Sequence, residues 1–328
     1  MTVLVTGGAG YIGSHVVLEL LDAGERVVVL DDLSAGFRWA VAPEAAFVAG
    51  DVADQALVGR LIEEHGIDAI LHFAAKIVVP ESVADPLAYY LGNTAKTRTL
   101  LETAVRAGVR RFIFSSTAAV YGNADAIPLH EDLVPAPINP YGRSKLMSEW
   151  MLEDAGRAHG LNYVALRYFN VAGADPKGRA GQSSPVATHL LKVAAQAALG
   201  QRPHLDVYGT DYDTPDGSCV RDYIQVNDLA TAHLAALDHL RAGGGSTVMN
   251  CGYGHGASVL EVVDVVKRVS GVDFPVRVSP RRPGDPAALV AKVDRIRALG
   301  WTPRFDDLAA IVDQALRWER TLAARKAA

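Results

Sequence analysis

Three observations predict an α/β fold, a doubly wound parallel sheet joined to a smaller C-terminal α/β domain. Short apolar runs alternate with longer helical periodicities through the first half of the 328 residues, a glycine-rich turn follows the first run, and after about residue 170 the rhythm loosens into Gly, Pro and Asp-rich loops. The runs are Val3 to Val5, Val27 to Leu30, Ala46 to Ala49, Ala69 to Phe73, Phe112 to Phe114 and Tyr163 to Leu166. Strands buried on both faces lose polar alternation, so continuous apolar runs indicate a sheet covered by helices.

The helices follow in order. An amphipathic stretch runs from Ile12 to Leu21, and Gly24, Gly66 and Gly108 fall where helices should end, each just before the next strand. Asn139 with Pro140 starts another helix, the proline fixing a helical φ where no N–H is needed. Two later stretches, Ala187 to Leu199 and Asn227 to Leu240, read as helices, a turn lies at Gly243 to Gly245, and the Ala-rich tail is expected to fray. Residues 1–170 are assigned to a nucleotide-binding domain that segments around 220–250 re-enter, and residues 171–328 mainly to substrate binding.

Composition narrows the function classes. With 49% hydrophobic and 21% charged residues and a net charge of -5, the chain reads as globular and unsuited to nucleic acid. Phosphate binding must then come from individual arginines. Cys219 and Cys251 are too few for a disulfide framework and lack metal-ligand spacing, so a reducing compartment and no metal centre are expected. The opening MTVLVTGGAG has no basic segment or long apolar core, and no later run reaches membrane-spanning length, so a cytoplasmic location is expected.

Gly7, Gly10 and Gly13 are spaced Gly-x-x-Gly-x-x-Gly directly after the first strand. Two glycines let the backbone approach a pyrophosphate, the third allows close helix packing, and the helix N-terminus offers free N–H groups to the anion. Asp31 ends the second strand about 20 residues on, where a carboxylate accepts from a ribose diol and repels a 2′-phosphate. The combination indicates a Rossmann-type domain binding NAD rather than NADP. Asp51, after the third strand, either holds an adenine amino group or caps the helix beginning near Asp54.

Tyr141 and Lys145 lie four apart in NPYGRSKLMSEW and share one helix face. A tyrosine with the usual pKa of about 10 is ionised in about one molecule per thousand at pH 7, and lowering it by three units takes about 4 kcal/mol. A cation about 4 Å away supplies that much at an effective dielectric near 20. Ser115, Ser116 and Thr117 stand at the C-terminal end of strand five, where open α/β sheets bind ligands. Thr117 is therefore assigned to a substrate hydroxyl, and Tyr141 to its proton.

These residues together resemble the extended short-chain dehydrogenase/reductase superfamily. The strings TGGAGYIGSH, FIFSSTAAVYG, NPYGRSKLMSE, LRYFNVAGADP, GSCVRDYIQVNDLA and RRPGD are similar to the UDP-glucose 4-epimerase family over nearly the whole chain. The resemblance implies that Tyr141 is the base, Lys145 its cationic partner and Thr117 an assisting hydroxyl. It implies cofactor contacts at Tyr11, Ile12, Val52, Phe73, Ala74, Asn93, Ser115 and Tyr168. Asn170 would contact the sugar nucleotide, Arg221 and Arg282 would clamp its diphosphate, Asp285 would hold the uridine ribose and Tyr208 would pack on uracil. The implied reaction oxidises the sugar at C4 with resident NAD, lets the 4-keto sugar turn over and reduces its other face, giving UDP-glucose and UDP-galactose interconversion. A homodimer is also implied, through helices spanning about Pro86 to Ala107 and Tyr141 to Ala158.

Three positions depart from the family pattern. Lys76 precedes by one place the position where a lysine is expected near the cofactor, His189 replaces an asparagine, and Leu289 replaces a tyrosine or cysteine that limits sugar size, leaving N-acetylated sugars open. A nucleotide-sugar dehydratase would carry an acidic pair where Ala118 and Ala119 stand. A UDP-glucuronate 4-epimerase needs only an altered sugar pocket, and a non-catalytic NAD-binding sensor could drop Tyr141.

Overall fold

A computed structural model of the chain describes residues 1–124, 127–184, 188–282 and 285–327. The first half alternates strands and helices: β1 (Thr2–Thr6), α1 (Tyr11–Asp22), β2 (Arg26–Asp31), β3 (Ala46–Ala49), α2 (Gln55–His65), β4 (Ile67–His72), α3 (Val79–Ala84), α4 (Pro86–Tyr89), α5 (Lys96–Arg106), β5 (Arg111–Thr117), α6 (Pro140–His159) and β6 (Asn162–Tyr168). A π-helical segment, Tyr90–Ala95, joins α4 to α5. The second half carries β7 (Asn170–Ala172), α7 (Leu190–Ala198), β8 (Leu205–Tyr208), β9 (Val220–Arg221), β10 (Tyr223–Gln225), α8 (Val226–Arg241) and β11 (Thr247–Cys251). It closes with β12 (Ala257–Ser258), α9 (Val259–Ser270), β13 (Val276–Ser279), β14 (Ala288–Leu289), α10 (Asp294–Ala298) and α11 (Leu308–Ala327).

Seven parallel strands form the central sheet in the order β11-β6-β5-β4-β1-β2-β3, reversing direction of winding between β1 and β4. Alternate residues of each strand serve opposite layers. Val3, Val5, Val27, Val29 and Leu71 join α1 and α8, while Leu4, Val28, Leu30, Ile70 and Phe112 join α2, α5 and α6. This double burial explains the continuous apolar runs and makes the fold Rossmann-type.

The expected punctuation is present. Gly66 is the left-handed C-cap of α2, and Gly24 and Gly108 take positive φ just beyond α1 and α5. Asn139 caps α6 through the Gly142 N–H at 2.9 Å, with Pro140 at the first helical position. The stretch expected from Ala187 becomes α7 from Leu190; Ala187 itself lies outside the described residues. The tail expected to fray is helical to Ala327, because α11 buries Ile311, Val312, Leu316 and Trp318 and packs on α7 and α9.

Late segments return to the first half. β11 pairs in parallel with β6, and α8 packs on α1. The remaining late strands form small sheets, β10-β7, β12-β9-β14 and β13-β8.

Candidate active site

The glycine turn sits at the winding reversal. Gly7 has φ 72°, and a Cβ there would lie 2.6 Å from the Ala74 nitrogen, beside Phe73 at the end of β4. A Cβ on Gly13 would lie 2.2 Å from the Gly7 oxygen, so α1 packs on the turn only without a side chain. Gly10 is the N-cap and contributes no side-chain cap. The first-turn amides of α1, at Tyr11 and Ile12, therefore head a helix whose positive end lies at the crevice. The Tyr11 ring is engaged elsewhere, its hydroxyl donating to the Gly173 carbonyl at 2.7 Å.

Asp31 ends β2 with its carboxylate accepting from the Ala9 and Leu33 amides at 2.9 and 2.8 Å. Burial, with the neighbouring Asp32 charge, raises its pKa. Carboxylate lone pairs remain for a diol. This cradle, in which a Cβ would collide, fits a dinucleotide. Asp54, not Asp51, caps α2, accepting from Leu57 N at 2.9 Å. Asp51 instead accepts from Ala53 N at 2.9 Å and from the Lys96 ammonium at 2.5 Å, beside buried Val52.

Asn93, buried in the π-helical segment, joins three elements. Its oxygen accepts from Lys76 N at 2.8 Å, and its NH₂ donates to Lys76 O at 2.9 Å and Ser144 Oγ at 3.0 Å. Both amide hydrogens are thus committed within the protein. The Lys76 ammonium lies 5.9 Å from the Tyr89 ring centroid.

Helix α6 presses its first turn on the end of β5: a Cβ on Gly142 would stand 2.6 Å from the Ala119 oxygen. That approach sets Tyr141 beside Thr117, whose Oγ1 accepts from Ala119 N at 3.1 Å. Burial raises the Tyr141 pKa and the neighbouring Thr117 hydroxyl opposes the rise. The Lys145 ammonium donates to the Ser115 carbonyl at 2.7 Å and lies 4.8 Å from the Phe114 ring. Burial pushes its pKa down to about 7, and the Glu149 charge opposes that shift.

A buried network that no sequence motif announces lies beneath this group. Glu149, one turn beyond Lys145, pairs with Arg167 on β6 at 2.7 and 3.0 Å and accepts from Ser116. Arg167 also lies 4.8 Å from the Tyr121 ring. The i,i+4 spacing of Lys145 and Glu149 was the available signal; the arginine's strand gave none.

The substrate-side residues lie on the second half. Asn170 on β7 lines a small cleft with His189 and Lys192. His189 is the exposed N-cap of α7, bonded to Gln182. Arg221 is buried on β9 and donates to Val220 O at 2.8 Å. Leu289 on β14 is its register partner. At the end of β8, Tyr208 has the Arg282 guanidinium 3.8 Å from its ring centroid. Asp285 N donates to Arg282 O at 3.3 Å; Pro283 and Gly284 of RRPGD lie outside the described residues.

A Rossmann-type sheet with a glycine cradle, an acid ending β2 and a buried tyrosine–lysine pair beside a strand-end threonine defines a dinucleotide-dependent enzyme. Residues 3–252 match the family described as the NAD dependent epimerase/dehydratase family, and the chain belongs to it. A relative from Azospirillum brasilense named UDP-glucose 4-epimerase is 61% identical over 98% of this chain and 92% of its own. A UDP-glucose 4-epimerase structure from Brucella ovis in complex with NAD superposes with TM-score 0.94 at 45% identity, covering 96% of this chain and 97% of that one. One from Stenotrophomonas maltophila, with bound NAD and formylated UDP-arabinopyranose, has TM-score 0.95 at 40% identity over 100% of both chains.

Proposed function

We propose that the chain is a UDP-glucose 4-epimerase, an NAD-dependent isomerase that interconverts UDP-glucose and UDP-galactose. The observation that carries this is the buried Lys145, donating to the Ser115 carbonyl, one helical turn from Tyr141 and beside Thr117 at the strand ends next to the glycine cradle. NAD, when bound, supplies reversible hydride acceptance at sugar C4. Its binding is assigned to Gly7, Gly10, Tyr11, Ile12, Gly13, Asp31, Asp51, Val52, Phe73, Ala74, Asn93, Ser115 and Tyr168, with Tyr141 and Lys145.

Tyr141 takes the proton of the sugar 4-hydroxyl, directly or through Thr117, and gives it back when the other face is reduced. Burial lowers the Lys145 pKa, and the ammonium, where charged, favours the tyrosinate one helical turn away. Arg221 and Arg282 hold the diphosphate, Asn170 the sugar nucleotide, Asp285 the uridine ribose and Tyr208 the uracil. A grip on UDP that leaves the sugar loose allows the 4-keto sugar to turn. Tyr141→Phe removes the proton acceptor and lowers kcat by about 10²–10⁴-fold with NAD retained; unchanged turnover would sink the mechanism.

We also infer the domain division at about residue 170 with re-entry around 220–250, a cytoplasmic location and a homodimer. No described helix is long and apolar enough to cross a membrane. What supports the dimer is the apolar surface on α4, the π-helical segment and α6, where Leu87 is 75%, Leu91 61% and Trp150 55% exposed. Light scattering at micromolar protein should give twice the chain mass of 34.9 kDa, and a monomer mass rejects the dimer.

A further inference from the structure

His233, on α8, is fully buried behind the cofactor crevice and belongs to no part of the reaction described above. Its ring lies 4.9 Å from that of Phe73 and 5.3 Å from that of Tyr168, centroid to centroid, so it is wedged between residues ending β4 and β6. Nδ1 is 2.8 Å from the Leu229 carbonyl oxygen. A carbonyl can only accept, so Nδ1 carries the proton. Burial lowers the histidine's pKa to about 4, which leaves the ring neutral and Nε2 with a lone pair. The Tyr168 hydroxyl meets Nε2 and must therefore donate to it.

That fixes the direction of a chain of bonds. The phenol's only hydrogen is committed to His233, so toward every other neighbour its oxygen can only accept. Tyr168 also lies within electrostatic reach of Tyr141. We propose that His233 is a positioning residue that turns the Tyr168 proton away from the cofactor crevice, so that the phenolic oxygen meets NAD only as an acceptor for its N–H or O–H groups. This rests on the assignment of Tyr168 to the NAD site. His233 acts through Tyr168 and touches no substrate.

The test is a double-mutant cycle on the full chain: His233→Leu, Tyr168→Phe and the two combined, with His233→Gln as the conservative variant. For each, kcat, KM for UDP-galactose and the fraction of purified protein retaining NAD are measured. Loss of one buried hydrogen bond should lower kcat or NAD retention about tenfold in either single variant, with KM unchanged. The double variant should match Tyr168→Phe alone, since His233 has nothing further to position. His233→Gln, whose amide oxygen can accept the phenol's hydrogen, should recover most of the loss. Effects that multiply to about a hundredfold, or a His233→Gln protein as impaired as His233→Leu, overturn the proposal. NAD retention is read without any sugar reaction, so a wild-type protein that holds NAD but leaves UDP-galactose unchanged overturns the epimerase reading instead.

Discussion

Tyr141, Lys145 and Thr117 were readable because each obeys a local rule: the pair shares a helix face, and the threonine ends a strand that open α/β sheets turn toward ligands. Their electrostatics were not readable. Lys145 bonds the Ser115 carbonyl, and its depressed pKa follows from burial that only the packed helix creates. Glu149 and Arg167 pair between α6 and β6, a tertiary match no spacing announces. The buried histidines belong to the same scale. His15, His72 and His233 have pKa values lowered by burial to about 4, 3 and 4. Folded values below the unfolded 6.5 mean that the unfolded chain binds protons first as pH falls. The stability from neutral rings is whole above pH 6.5 and lost on descent toward the folded values. By pH 5 each histidine should cost about 2 kcal/mol. Thermal unfolding at pH 7 and pH 5 checks this, and equal midpoints would contradict it.

Among the elements, β1, β2, β4, β5 and β6 were legible because burial on both faces writes itself as apolar runs, and β3, a half-exposed edge strand, because all four of its residues are apolar. The late strands β7 to β10 and β12 to β14 are two to four residues long, too short for a period to register. β11 was missed too: its Asn250 is buried polar, held by Tyr121 and Leu129 O, which breaks the apolar run. The glycine turn of β1–α1 was read for its phosphate chemistry, and the structure adds a packing reason. Gly7→Ala places a methyl against the Ala74 backbone at positive φ, which should destabilise the fold by about 1–3 kcal/mol and strip NAD from the purified protein. Full NAD content with an unchanged thermal midpoint would show that the turn has no such constraint.

At the scale of the molecule, one hydrophobic core runs from Val3 on β1 to Leu316 on α11, so the late segments are built onto the sheet rather than tethered to it. This continuity holds the substrate-side residues of β7, β8 and β9 in fixed relation to the cradle. The sequence pointed to segments around 220–250 re-entering the first domain without naming a strand; β11 pairs with β6. The central claim is that resident NAD oxidises and re-reduces C4 within one closed site. It is tested most directly by incubating purified protein with UDP-galactose in D₂O, without added NAD, and identifying the product and the hydrogen at its C4. The account predicts UDP-glucose carrying the original protium; deuterium at C4, or no conversion until NAD is supplied, would contradict it.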